Sequence, residues 1–152
     1  MKIAIGADHA GFDLKERLKR YLASKGHEVL DLGTTSADST DYPPYAFLVA
    51  ESIRDGGAER GILICDSGNG IAIAANKVEG VRAAIGINPE HAALSRKHND
   101  ANVLVLGAKI LPREIEDATV EAWLSAEFEG GRHARRVGQI TDYERAHQRS
   151  DA

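Results

Sequence analysis

Cysteine occurs once in these 152 residues, and that scarcity removes several classes at the outset. A lone Cys65 cannot close a disulfide within the chain, and it leaves no CxxC redox motif and no cysteine zinc finger. It fits a reducing compartment. No run approaches about 18 consecutive apolar residues, so no membrane-spanning helix is expected. The opening Met1-Lys2-Ile3-Ala4-Ile5-Gly6 meets Asp8 and His9 before an apolar stretch reaches signal-peptide length. A soluble, cytoplasmic protein is therefore expected. Neither sign of charge dominates: 19 Lys and Arg against 23 Asp and Glu give a net charge of −4. A general nucleic-acid coat is excluded on that balance, although a small basic cluster could still hold a phosphate.

What remains has the size of one domain, spanning residues 1–152. A chain of this length buries roughly two-thirds of the surface that its unfolded form exposes. Short apolar runs at 2–6, 28–32, 61–65, 82–87 and 102–107 scarcely alternate with polar residues. That is the pattern of strands covered on both faces, as in a parallel sheet. Helical spacing falls between them. Leu14, Leu18, Tyr21 and Leu22 share one face, Ala46, Val49, Ala50 and Ile53 follow the helix-opening Pro43-Pro44, and Ile115, Ala118, Ala122 and Trp123 follow Pro112. A further helix is expected to start near Pro89, and another near residue 133 after Gly130-Gly131. The fold class is therefore α/β: a doubly wound, Rossmann-like three-layer α/β/α domain with a roughly five-stranded parallel sheet. The polar stretch 33–45 reads as a loop over the crevice, and 148–152 as frayed.

In such folds the ligand crevice lies beyond the carboxyl ends of the strands. The residues there are Asp8-His9, 31–35, Asp66-Ser67-Gly68-Asn69-Gly70 and Asn88. The run Gly61 to Cys65 enters a glycine-bearing turn that opens a helix, which leaves backbone N–H groups able to stabilise an oxyanion. The same turn also reads as a ligand-free connection. Its Gly68-Asn69-Gly70 half-meets a dinucleotide fingerprint, but Ile73 stands at the third glycine position. Cys65 ends the strand where a thiolate is favoured, yet a free cysteine is also commonly a small buried hydrophobe, and the adjacent Asp66 opposes the thiolate. His9 and His98 could move protons, with exposed histidines, a capping Asp8 or a metal site as the alternatives. His91 and His98 do not have i, i+4 spacing, and no metal is expected. Arg132 and Arg136 have that spacing, and read either as a phosphate clamp or as a solvated basic turn.

Six segments together resemble one family. They are Gly6-Ala7-Asp8-His9-Ala10-Gly11, Thr40-Asp41-Tyr42-Pro43, Gly61-Ile62-Leu63-Ile64-Cys65, Ile73-Ala74-Ala75-Asn76-Lys77, Leu94 through Val103, and Phe128-Glu129-Gly130-Gly131-Arg132-His133. In this order, and across residues 2 to about 139, the chain resembles the ribose-5-phosphate isomerase B family and its galactose-6-phosphate isomerase relatives. The resemblance implies cofactor-free aldose–ketose isomerisation of a sugar phosphate through a cis-enediolate, with Cys65 as base. It further implies that Ser67 assists at the ring oxygen, that Gly68, Asn69 and Gly70 supply donors to the enediolate, and that His98 opens the furanose. Asp8, Tyr42, Asp66 and Asn99 would contact the sugar, and His9, Arg132 and Arg136 the phosphate. Family members are dimers with shared sites, which could assemble further into tetramers, so the helical segment from about 133 is expected to pack on a partner subunit.

Asp66 departs from the pattern, because the ribose enzymes commonly carry glycine directly after the cysteine. Ribose 5-phosphate is the expected substrate. Another aldose phosphate (allose, galactose or a tetrose) and a non-catalytic sugar-phosphate-binding module are the alternatives.

Overall fold

The computed structural model describes residues 1–147, so the expected fraying at 148–152 lies outside the described residues. Five strands form one sheet: β1 (Lys2–Ala7), β2 (Glu28–Asp31), β3 (Arg60–Cys65), β4 (Ala83–Ile85) and β5 (Val103–Gly107). Every pairing is parallel and the spatial order is β2-β1-β3-β5-β4, which makes the fold the doubly wound α/β class read from the sequence. Six α-helices connect and cover it: α1 (Phe12–Ser24), α2 (Pro43–Arg54), α3 (Asn69–Ala75), α4 (Pro89–Asn99), α5 (Glu116–Ser125) and α6 (Arg132–Ala146).

Side-chain alternation along each strand feeds two cores. Ile3, Ile5, Ile62, Ile64, Leu104 and Leu106 meet Leu14, Leu18, Leu22 and the fully buried Trp123 on one face. Ala4, Leu63, Cys65, Val103 and Val105 meet Val49, Ala50 and Ile71 on the other. Because both faces are covered, the strands read as unbroken apolar runs. Lys15 is buried in this frame at 0% exposure, and a buried cation persists only when paired. Its Nζ lies 2.7 Å from Asp31 and 2.9 Å from Glu16. Burial works against ionisation of Asp31, but hydrogen bonds from Lys15 and Lys19 outweigh it and hold the carboxyl below its usual range.

Local chemistry sets the helix ends. Asn88 accepts the His91 N–H at 2.8 Å and Pro89 opens α4. At the other end Asp100 takes a left-handed conformation, φ 49°, tied by its carboxylate to Arg96 at 2.8 Å and Arg82 at 3.3 Å. The structure corrects three sequence boundaries and places the start of α6 at Arg132, directly after Gly130-Gly131 as expected. The α4 helix runs through Asn99, so His98 and Asn99 occupy its last turn instead of following it. The edge strand β4 keeps three residues, because it has a pairing partner on one side alone. The expected loop 33–45 stops at Tyr42, where Pro43 starts α2.

Strand order reverses direction between β1 and β3, since β2 lies on one side of β1 and every later strand on the other. The carboxyl ends of β1 and β3 therefore flank the topological switch point. Close passage there depends on Gly107, where an added Cβ would lie 2.5 Å from the Ser67 carbonyl oxygen. Backbone cannot yield as a flexible side chain does, so Gly107→Ala is expected to cost about 1–3 kcal/mol. A lowered urea midpoint with unchanged slope would report it, and an unchanged midpoint would contradict the close passage.

Candidate functional site

The switch point gathers most of the residues singled out in the sequence. Asp8 follows β1, is 6% exposed, and its Oδ1 accepts the N–H groups of Ala10 at 3.1 Å and Gly11 at 3.2 Å. The capping role is thus real, and Oδ2 is left for another partner. His9 Nδ1 lies 3.1 Å from both the Thr40 backbone nitrogen and the Thr40 carbonyl oxygen. The 32–42 segment that carries Thr40 also delivers Tyr42. Its ring sits so close to Gly70 that a Cβ there would lie 2.4 Å from the Tyr42 Cζ, which explains glycine at that position.

Cys65 ends β3 at 4% exposure. The turn after it is shaped by Gly68 at φ 85°, whose N–H donates to the Cys65 Sγ at 3.2 Å. The sulfur thus lies beside a backbone donor where α3 begins. The Asn69 N–H donates to Ser67 Oγ at 3.2 Å. Two of the turn's N–H groups are thus committed to its own side chains, fewer being open than the sequence suggests. Asp66 points outward: its Oδ2 lies 3.6 Å from Lys109 Nζ, while the Lys109 N–H donates to the Asp66 carbonyl at 2.9 Å. Lys109 is missing from the sequence expectation, although the strand-end rule that selected Asp8 and Asp66 applies equally just beyond β5. Beside the turn lies a cavity of about 390 Å³ lined by Ser67, Asn69, His91, Gly107, Ile110 and Leu111.

The remaining expected residues lie elsewhere. Cys65 is level with Gly107 at the exit of β5, whereas His98 and Asn99 precede the entry of that strand at Val103. The eleven residues of α4 carry the chain about 16 Å back toward the entry edge. Within one chain, His98, Asn99, Arg132 and Arg136 are therefore at the opposite edge of the sheet from Asp8, His9, Tyr42 and Cys65 to Gly70.

At that far edge His98 stacks on His133, with ring centroids 4.2 Å apart and planes 9° from parallel. Glu129 Oε1 lies 3.8 Å from His98 Nε2 and 3.6 Å from His133 Nε2. Burial pushes the His133 imidazole below its ordinary pKa, and the neighbouring positive His98 and Arg132 push the same way. Arg132 and Arg136 are exposed on α6 and make no ion pair among the described residues. His98, Glu129 and His133 offer potential ligand atoms within 4.8 Å of one another. A metal bound to imidazole nitrogen lies in the ring plane, and two parallel stacked planes share no such point.

Residues 3–140 match the family model described as Ribose/Galactose Isomerase. The chain is 50% identical over 143 residues to ribose-5-phosphate isomerase B of Escherichia coli strain K12, covering 94% of this chain and 96% of that protein. Its structure is similar to that of Clostridium thermocellum ribose-5-phosphate isomerase B, with a TM-score of 0.95, 48% identity, and 97% and 100% of the two chains covered. It is also similar to Mycoplasma genitalium ribose-5-phosphate isomerase B with bound ribulose-5-phosphate, with a TM-score of 0.90, 42% identity, and coverage of 95% and 96%.

The lowered pKa of His133 has a consequence for stability. A histidine held neutral in the fold contributes stability in full above the unfolded value of about 6.5, and that contribution is lost as pH falls through the folded value. Wild-type unfolding free energy should fall between pH 7.5 and 5, and His133→Gln should flatten that dependence. Urea titrations at both pH values check it, and identical slopes in the two proteins would refute the assignment.

Proposed function

The chain belongs to the ribose/galactose isomerase family, and from that premise we propose that it interconverts ribose 5-phosphate and ribulose 5-phosphate through a cis-enediolate, with Cys65 as the base. The observation that carries this reading is the single thiol at the switch point, buried and approached by the Gly68 N–H. As thiolate, Cys65 takes the proton from C2 of the open aldose, and the C2–H electron pair becomes the enediolate double bond while the carbonyl oxygen gains charge. The O2 hydroxyl proton passes to O1 and the carbon proton returns from Sγ to C1, which completes the ketose. No oxidant, metal or cofactor enters this balance. Donors of the Ser67 to Gly70 turn stabilise the enediolate oxygens in a preorganised setting, an effect of several kcal/mol in a dry site. Ser67 assists at the ring oxygen, and Asp8 and Tyr42 hold sugar hydroxyls.

The other half of the chemistry needs His98 as the acid that opens the furanose, Asn99 on a hydroxyl, and Arg132 and Arg136 with His9 on the phosphate. A second copy of the chain supplies them. Supporting that arrangement, the β4 edge and its neighbours carry exposed Ile73, Ile87, Leu94 and Ile110, and α6 carries Ile140 and Tyr143. Such apolar side chains along one edge suit an isologous dimer in which α6 packs on the partner. A tetramer would be two such dimers. A cytoplasmic setting suits a mechanism that requires a free thiol.

Asp66 supports a second reading, in which the substrate is a different aldose phosphate. A carboxylate next to the base disfavours an enediolate unless it is offset or binds a hydroxyl, and Lys109 at 3.6 Å supplies the offset.

Two experiments test the assignment. Cys65→Ala should abolish solvent deuterium exchange at C2 while leaving sugar-phosphate binding in place, and undiminished exchange would remove Cys65 as base. Exchange absent from the wild-type protein would indicate a binding module instead. Mixing inactive Cys65→Ala with inactive His98→Asn chains should restore about one quarter of wild-type activity, because half the dimers are mixed and each has one intact site. Failure to restore activity in verified mixed dimers would place both residues' work within one chain.

A further inference from the structure

We propose that Glu129 is a positioning residue for the isomerase: its carboxylate, within ion-pair distance of both rings, stabilises the one proton that the stacked His98 and His133 pair can hold, and so sets the pH range in which the closed sugar is opened. The inference rests on the reading of His98 as the ring-opening acid and deepens it.

Glu129 belongs to the segment between α5 and α6, and its placement is built in. Its backbone N–H donates to the Lys97 carbonyl at 3.1 Å, which fixes it beside the last turn of α4. From there Oε1 reaches the Nε2 atoms of both rings, at 3.8 Å and 3.6 Å. Two imidazoles 4.2 Å apart and nearly parallel cannot both be charged without strong repulsion, so the pair holds at most one proton. The rings are not equivalent. The His133 side chain is 11% exposed and the His98 side chain 40%, so desolvation disfavours charge on His133 and directs the proton to His98.

The remaining charges around the pair are mostly positive. Arg132 and Arg136 approach from α6, and Arg96 and Lys97 belong to α4, with Arg96 committed to Asp100. These cations oppose a proton on either ring, and phosphate-binding arginines cannot be dispensed with. Glu129 is the carboxylate that forms an ion pair with each ring, and it supplies the local negative charge that makes a protonated acid compatible with an arginine-rich phosphate site.

The ring step and the enediolate step can be measured apart. Ribose 5-phosphate must be opened before C2 can react. Ribulose 5-phosphate, with its terminal oxygen esterified, is open-chain, so deuterium uptake at its C1 needs the base and no ring opening. Glu129→Gln is expected to lower turnover of ribose 5-phosphate at pH 8 by about three- to tenfold, with the deficit shrinking toward pH 6. Deuterium uptake into ribulose 5-phosphate should be unchanged at both pH values, and Glu129→Asp should recover most of the rate. A loss that is equal for both measurements at every pH, or no loss at all, would overturn the proposal. The underlying reading fails in a different way: His98→Asn retaining full turnover of ribose 5-phosphate would remove His98 as the acid. The His133 ring signal, followed by NMR without substrate, reads the Glu129 coupling by itself. It should titrate at lower pH in Glu129→Gln, and an unmoved titration would overturn the coupling whatever His98 does.

Discussion

Parallel strands can be joined only by a connection that returns to the starting edge of the sheet. Every helix that bridges them therefore runs against them, and its two ends lie on opposite edges. In this molecule α4 is the decisive case. It opens on the ligand side, where His91 lines the cavity, and closes at the entry edge with His98 and Asn99. The α6 helix is fastened to that same closing turn through the His98 and His133 stack. The thiol and the arginines are consequently separated by the architecture itself.

The thiol end depends on a different use of space. Strand exits at β3 and β5 are joined through the Ala108 N–H to the Cys65 carbonyl and the Lys109 N–H to the Asp66 carbonyl, each at 2.9 Å. That close join leaves no room for a Cβ at Gly107, and it forces the turn through a left-handed Gly68, whose N–H then faces the sulfur. Tyr42 fills the remaining side against Gly70. The geometry around the sulfur is thus fixed by backbone, which reorganises little when charge develops. The Asp66 and Lys109 side chains lie outside this cradle, exposed and 3.6 Å apart.

Much of this is legible in the residue order, for definite reasons. A sheet covered on both faces leaves apolar runs, so all five strands can be read, and the residues after β1 and β3 fall at a crevice by the rule for parallel sheets alone. The ends of elements are less legible. A periodic pattern does not reveal that α4 continues through Asn99, because its stop is a left-handed Asp100 held by Arg96 and Arg82, and aspartate is not an obvious helix terminator. Nor does spacing reveal pairings that cross irregular segments. His98 and His133 are 35 positions apart and meet where the Glu129 N–H donates to the Lys97 carbonyl. The edge of the sheet on which a helix residue falls is a property of topology, and it divides the residues that the motifs present as one set.

Cys65 is the chain's sole cysteine and is almost entirely covered. Once a thiolate is oxidised to sulfenic acid, the usual internal remedy is a neighbouring thiol that captures it as a disulfide. No such resolving partner exists in this sequence. Damage at Cys65 can be reversed only by a reductant from outside, and overoxidation beyond that stage is permanent. Cover by the Gly68 turn is therefore a safeguard: the packing that keeps water from this sulfur also keeps peroxide from it.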